Sequence, residues 1–349
     1  MKLVKAALLG ASGYTGADLL RLGLAHPNLE FVALTANTHA GKPMGEVFPH
    51  LAHANLPDLV TNDEVNWSEI DVVFCGLPHG TSQKIIQKIL SISPKTRIID
   101  MSADYRLTDI ELYQQTYGNE HIAPELQKKA AYGLSEHNRE AIKTAPIIAC
   151  PGCYPTATLL ALLPLLKSAT ISSDDIIIDA KSGVTGAGRS LKQNMLMAEA
   201  GESVSPYAVG VHRHAPEIDQ ELSKISDKNI VVNFTPHLIP MSRGELITAH
   251  VKLDNGSNIN DLRATLEKAY KDEPFIKLLE RGKMPATGHV RGSNFCHINV
   301  FEDRIKGRAI VIAAIDNLVK GSAGQALQNF NIAFGFDENT ALQQMPLFP

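Results

Sequence analysis

Residues 5–26 run KAALLG, then ASG, then YTGADLLRLGLAH. An apolar, β-rich stretch breaks into a glycine turn. It continues at once into a segment whose apolar positions, Leu19, Leu20 and Leu22 among them, suit a helix. Gly10, Gly13 and Gly16 fall just after the strand and at the head of the helix. Glycine there permits a tight turn, lets the backbone approach a pyrophosphate, and lets helix and strand pack closely. The N–H groups at the helix start then face the anion. The spacing is G-x-x-G-x-x-G rather than G-x-G-x-x-G, and many βα turns carry glycines. The strand–loop–helix setting is what points to a dinucleotide, with Ser12, Tyr14 and Thr15 in the same loop.

The alternation continues. Strands are expected at 30–36, 71–77, 97–103 and 146–150, and a helix at 81–90. Continuous apolar strands interleaved with helices imply a parallel sheet covered on both faces, here a Rossmann-like α/β domain. After residue 150 the pattern changes to longer β-rich runs at 175–183, 229–240, 245–254 and 307–318, with one strong helix at 258–272. That reads as an α+β domain with a mostly antiparallel sheet. The helical stretch 322–336 is expected to return to the first domain. The expected division is 1–149 with 319–349, and 150–318. A length of 349 residues suits two such domains.

Bulk properties exclude several functions. A net charge of −4 without clustered Lys or Arg argues against nucleic acid as a partner. Four cysteines in this length do not make a disulfide framework. The N-terminus lacks the pattern of a signal peptide, and no apolar window of about 18 residues occurs. The expectation is a soluble, cytoplasmic protein acting on a small molecule.

The second strand ends LTANTHAGK, with Thr35, Asn37, Thr38 and Lys42 but no acid. An Asp or Glu at this place would hold the 2′-hydroxyl of NAD. A neutral, hydroxyl-rich turn with a nearby lysine instead tolerates a 2′-phosphate, so NADP(H) is the expected cofactor.

Cys153 follows Pro-Gly at a strand end and precedes TATLLALLPLL. A helix N-terminus stabilises a thiolate, which is a setting for a nucleophile. Cys150 lies three residues earlier and makes a C-x-x-C. GVHRHAPEI supplies His212, His214 and Glu217 before a helix. A His-x-His serves equally as a metal half-site, a solvated turn or a base. Zinc would need a further Cys or His pair, and Cys75 and Cys296 have no such company, so no metal is expected.

GASGYTG, LPHG (77–80), SADYRL (102–107), PGCYPT (151–156), SGVTGAGR (182–189), HRHAPE (212–217), IPMSRG (239–244) and AIDNLVKG (314–321) together resemble the N-acetyl-γ-glutamyl-phosphate reductase family. This is a branch of the aspartate-semialdehyde dehydrogenase superfamily, and the resemblance spans nearly the whole chain. It implies NADPH-dependent reduction of an acyl phosphate to a semialdehyde in arginine biosynthesis, through a thioester on Cys153. It implies a histidine as acid and base, His212 or His214, with Glu217 orienting an imidazole. Arg106 and Arg243, and less directly Arg213, are implied ligands of the substrate phosphate and carboxylate. Ser182, Gly183 and Gly186 are implied to line the nicotinamide, Pro78 and His79 to cover the cofactor, and Asn317 to bond the carboxamide. A homodimer or homotetramer is implied. Cys150 departs from the family, which has Asn, Ala or Val there. It reads either as a small strand-end residue or as a resolving thiol for oxidised Cys153.

Rival readings are a relative acting on aspartyl or aminoadipyl phosphate, a thiol–disulfide oxidoreductase using C-P-G-C, and a non-catalytic NADP-binding sensor.

Overall fold

The computed structural model describes residues 3–226, 228–254 and 256–348. The contacts separate into two units. One comprises Met1–Pro151 and Ser322–Gln343, the other Gly152–Gly321 and Gln344–Pro349.

The first unit is built on a seven-stranded parallel sheet: β1 (Val4–Leu9), β2 (Leu29–Thr35), β3 (Leu59–Val60), β4 (Val72–Cys75), β5 (Arg97–Asp100), β6 (Ala130–Tyr132) and β7 (Ile147–Ala149). Their order is β3-β2-β1-β4-β5-β7-β6. Every residue of β4 and β7 is buried, as a sheet covered on both faces demands. Helices Tyr14–Gly23 and Ser135–Thr144 pack against the Gly324–Phe334 helix, which also touches β5. The strand order reverses between β1 and β4, and ligands of such sheets bind at the carboxyl ends around that switch.

Besides two four-residue helices, Met44–Val47 and Pro124–Gln127, the sequence reading leaves out Ile110–Tyr117 and Ser135–Thr144. The Ile110–Tyr117 helix is set by local chemistry rather than apolar periodicity. The Asp109 side chain accepts from the N–H groups of Glu111 and Leu112, and Gly118 closes the helix at φ 70°.

The second unit holds β8 (Ile177–Gly183), β9 (Ser205–Pro206), β10 (Asn233–Ile239), β11 (Glu245–Lys252), β12 (Ile276–Leu278), β13 (Cys296–Glu302) and β14 (Arg308–Ile315). Their order is β12-β13-β14-β11-β8-β10-β9. The sheet is mixed: β8–β10 and β12–β13 run parallel, and the other pairs antiparallel. Strand β13 was not anticipated.

The Cys153–Lys167 helix is apolar all round, with Tyr154 through Leu165 buried. A helix of that kind belongs in a core. It packs on β11, β14 and helices Ala215–Ser223 and Ile259–Tyr270. The last of these is fixed at its start by reciprocal hydrogen bonds between Asn258 and the Asn260–Asp261 turn. The tail after Gln343 goes with this unit, Leu347 N–H donating to Arg291 O at 2.8 Å. No described helix is long and apolar enough to cross a membrane.

Candidate active site

Cys153 is the first residue of its helix, with Gly152 in an extended conformation before it (φ −63°, ψ 159°). It is partly exposed, whereas Cys75, Cys150 and Cys296 are buried. The opening of a 15-residue helix presents main-chain N–H groups and the positive end of the dipole to the sulfur.

Two residues of the HRHAPE segment converge on Gly152. The Glu217 carboxylate, fully buried, accepts the Gly152 N–H at 2.9 Å. The His214 ring lies over the same residue, so close that a Cβ built on Gly152 would stand 2.5 Å from Nε2. His212 is set further back, in an aromatic box. Its ring centroid is 5.6 Å from Tyr154, 5.3 Å from Tyr207 and 5.4 Å from Phe234. Its Nδ1 accepts the His214 main-chain N–H at 3.1 Å. Burial first, and the Arg213 charge second, push its pKa down to about 4. His212 is therefore uncharged at neutral pH, and of the two rings it is His214 that packs on Gly152.

Glu245, the first residue of β11, had no sequence signal. It is fully buried beside the Cys153 thiol. Burial raises its pKa to about 8, the thiol draws it down, and the Asp316 carboxylate raises it. Asp316 is itself buried and accepts main-chain N–H groups from Gly292, Leu318 and Val319. Arg243 Nη1 stands 3.7 Å from Asp316, with a quarter of its side chain exposed, and Arg213 is exposed. Gly321 forms a wall behind the cysteine, and a Cβ there would meet Cys153 Cβ at 2.7 Å.

Asn317 makes two hydrogen bonds within its own unit. Its Oδ1 accepts from Gly244 N–H at 2.8 Å, and its Nδ2 donates to Thr185 Oγ1 at 3.1 Å. Ser182 is buried next to Gly186, which is exposed. Gly183 packs on main chain, where a Cβ would stand 2.7 Å from Met241 O.

In the first unit, Gly10 sits at φ +77°, and a Cβ would be 2.6 Å from Gly76 O. At Gly16 a Cβ would be 2.9 Å from Ala11 and from Gly10 O. Thr35 O accepts the N–H groups of Gly10 and Ala11, which fixes the loop. Gly13 precedes the first helical residue, Tyr14, leaving the N–H groups of Tyr14, Thr15 and Gly16 at the open helix end. The Thr35 side chain is buried, while Asn37 and Lys42 are exposed just beyond β2.

The Pro78–Ser82 turn is held by Asp104, which lies in SADYRL but carried no assigned role there. Its carboxylate accepts from Gly80 N–H, Ser82 N–H, Ser82 Oγ–H and Tyr113 O–H. Pro78 is exposed there, and the His79 ring centroid is 5.5 Å from that of Tyr117, with the planes tilted by 45°. Arg106 is buried, donating to Cys150 O at 2.8 Å and Met101 O at 3.0 Å. These bonds tie strand ends together.

Cys150 differs sharply from Cys153. It is 1% exposed, accepts from Asn329 Nδ2 at 3.5 Å, and burial pushes its thiol up to about 12. A thiol held protonated to that degree is a poor resolving nucleophile.

The pattern of the semialdehyde dehydrogenase NAD binding domain matches residues 5–145, and that of the semialdehyde dehydrogenase dimerisation domain matches residues 153–317. Aspartate semialdehyde dehydrogenase II of Vibrio cholerae superposes with a TM-score of 0.75 over 96% of this chain and 99% of that one, at 18% identity. The enzyme of Candida albicans gives 0.72 at 18% identity, over 97% and 100%. At that identity the likeness is one of fold, and the class is that of the semialdehyde dehydrogenases. Sequence relatives are nearer. N-acetyl-gamma-glutamyl-phosphate reductase of Rhodospirillum rubrum is 52% identical over 348 residues, 99% of each chain. That of Afipia carboxidovorans is 51% identical over 98% of each. The probable chloroplastic enzyme of Arabidopsis thaliana is 51% identical over 100% of this chain and 86% of its own length. The chain belongs to the N-acetyl-γ-glutamyl-phosphate reductase family.

Proposed function

We propose that this protein reduces N-acetyl-γ-glutamyl phosphate to N-acetylglutamate 5-semialdehyde, with NADPH as reductant and phosphate as second product. The observation that carries it is Cys153 at the head of its helix, with His214 and Glu217 both placed on Gly152. The first unit is the dinucleotide domain. Gly10 and Gly16 let main chain pack where a Cβ would clash, which keeps the turn tight, and the open helix start suits a pyrophosphate. Lys42 and Asn37 beyond β2, with no acid there, suit a 2′-phosphate. The second unit is the catalytic and dimerisation domain, acting as a homodimer or homotetramer.

His214 takes the Cys153 proton, and the helix start stabilises the thiolate. The sulfur bonds to the acyl carbon, and the carbon–oxygen bond to phosphate breaks. The His214 proton goes to the departing phosphate, leaving a thioester on Cys153. NADPH, when bound, supplies the hydride that reduces that thioester. The carbon–sulfur bond then breaks, releasing aldehyde. Glu217 holds the Gly152 backbone, and hence the cysteine, in place throughout. Arg243 is the cation for the substrate's anionic groups, helped by Arg213, while Arg106 acts by holding the Cys150 carbonyl. In the second unit Ser182, Gly183 and Gly186 serve the nicotinamide and Asn317 braces Gly244; in the first, Pro78 and His79 belong to the cofactor-side turn.

The test is phosphate-dependent reduction of NADP by N-acetylglutamate 5-semialdehyde, with aspartate semialdehyde as competitor substrate. Turnover that falls at least about a thousandfold in Cys153→Ser supports the reading. No turnover by the intact protein, or preference for aspartate semialdehyde, sinks it.

A further inference from the structure

Glu245 is a puzzle as a structural residue. It occupies the first position of β11, opposite Ser182 on β8 and Ile315 on β14. Its side chain is wholly buried, yet neither carboxyl oxygen meets an N–H or O–H donor among the described residues. Buried polar groups are normally satisfied, and an unsatisfied one calls for a reason. Among the described residues no cation hydrogen-bonds to it. Arg243, two residues earlier, stands against Asp316 instead. The titratable groups facing Glu245 are Cys153 and Tyr154 from the helix, Tyr207 beyond β9, and Asp316 at the end of β14. None is positive. The nucleophilic Cys153 thiol is the one neighbour that favours the ionised carboxyl.

We propose that Glu245 is a further catalytic residue, the neutral acid that returns a proton to the Cys153 sulfur. The inference rests on the reaction proposed above. During acylation the thiol proton leaves through His214 to phosphate, and the Glu245 O–H donates a hydrogen bond to the thiolate. When the thiohemiacetal alkoxide collapses, the carbonyl forms and the carbon–sulfur bond breaks. The electron pair stays on sulfur, and the Glu245 proton moves to it. Glu245 then regains a proton from solvent, which accounts for the single proton the overall reduction consumes. A buried carboxyl kept protonated to act as donor is a known way for a site to run acid chemistry near neutrality. Burial and the Asp316 charge hold this one protonated up to about pH 8.

Glu245→Gln and Glu245→Met test the idea by two readouts. Turnover is measured against pH in the reductive direction. Activity that needs the acid form is present below the Glu245 value and lost above it. The intact protein therefore loses kcat as pH rises through about 8. Glu245→Gln, which donates a hydrogen bond but no proton, has kcat reduced at least about tenfold and lacks that limb. The second readout is alkylation of Cys153 by iodoacetamide, which needs neither substrate nor cofactor. It therefore separates failure of this proposal from failure of the assigned reaction. Ionised Glu245 opposes thiolate formation, so at about pH 9 Glu245→Gln is alkylated at least about threefold faster than the intact protein. Glu245→Met, which removes an unsatisfied acid from the interior, melts no lower than the intact protein. Unchanged turnover and alkylation profiles in Glu245→Gln would overturn the proposal. So would a lowered melting temperature in Glu245→Met, because it would make the carboxyl a structural element.

Discussion

The imidazole of His214 occupies the space that a side chain on Gly152 would need, with Nε2 only 2.5 Å from the place of the missing Cβ. Glycine at 152 is thus the condition for bringing the ring against the helix that begins at Cys153. Gly152→Ala displaces the ring or the peptide by a substantial fraction of an ångström. A displacement of that order costs about a hundredfold in rate when a proton must be transferred. The expected result is a kcat lowered about a hundredfold, with the melting temperature reduced by only a few degrees. Full activity in Gly152→Ala would remove His214 from its assigned role.

His212 makes a stability prediction rather than a rate prediction. Its folded pKa is lowered to about 4 from an ordinary 6.5, because burial disfavours the cation and Arg213 repels it. The unfolded chain therefore binds a proton that the folded chain refuses between those values. Stability must fall as pH drops from about 6.5 to about 4, and level off below. Urea midpoints measured across that window should show a slope in the intact protein. The slope should be shallower in His212→Phe, which keeps the aromatic box. Equal slopes would mean that the ring is charged or exposed in the folded state.

Gly10 combines a left-handed φ of +77° with a Cβ position 2.6 Å from Gly76 O. Either alone disfavours a side chain, and the second presses on main chain that cannot swing aside. Gly10→Ala is expected to destabilise by about 1–3 kcal/mol and to weaken NADPH binding at least about tenfold. Denaturant titration and cofactor titration by fluorescence report the two effects separately. An alanine variant that binds NADPH normally would show that the turn plays no part in holding a dinucleotide.

Cys150 should be a bystander under oxidation. Its thiol is buried and pushed up to about 12, while Cys153 is partly exposed at a helix start. Peroxide should inactivate the intact protein and Cys150→Ser at the same rate, with equal recovery in dithiothreitol. Slower recovery or faster loss in the serine variant would restore a resolving role to Cys150.

Much of the fold is legible in the sequence because its causes are local. Continuous apolar runs such as 71–77 mark strands buried on both faces, and GASGYTG marks the turn between β1 and its helix. The Ser135–Thr144 helix and β6 were missed because their segments carry little apolar periodicity and are defined by what they pack on. The second sheet was read as mostly antiparallel, and its two parallel pairs, β8–β10 and β12–β13, join strands that are distant or short. Pairing direction in such strands is decided by the connections, not by their composition.

The site divides along the same line. By itself, the sequence determined which cysteine heads a helix, which segment brings histidines, and where glycine must stand. These follow from backbone sterics and from residues a few positions apart. Only the tertiary structure decided that His214 meets Gly152 while His212 stays in an aromatic box. It likewise decided that Arg106 serves main-chain carbonyls and that Asn317 binds Gly244 and Thr185. Glu245 is the clearest case. In the sequence it is an ordinary polar residue at the start of a strand. Its chemistry comes from burial and from the presence of Asp316, 71 residues later, and Cys153, 92 residues earlier. A carboxyl's proton affinity is set by the field and dielectric around it, and those are properties of the folded chain.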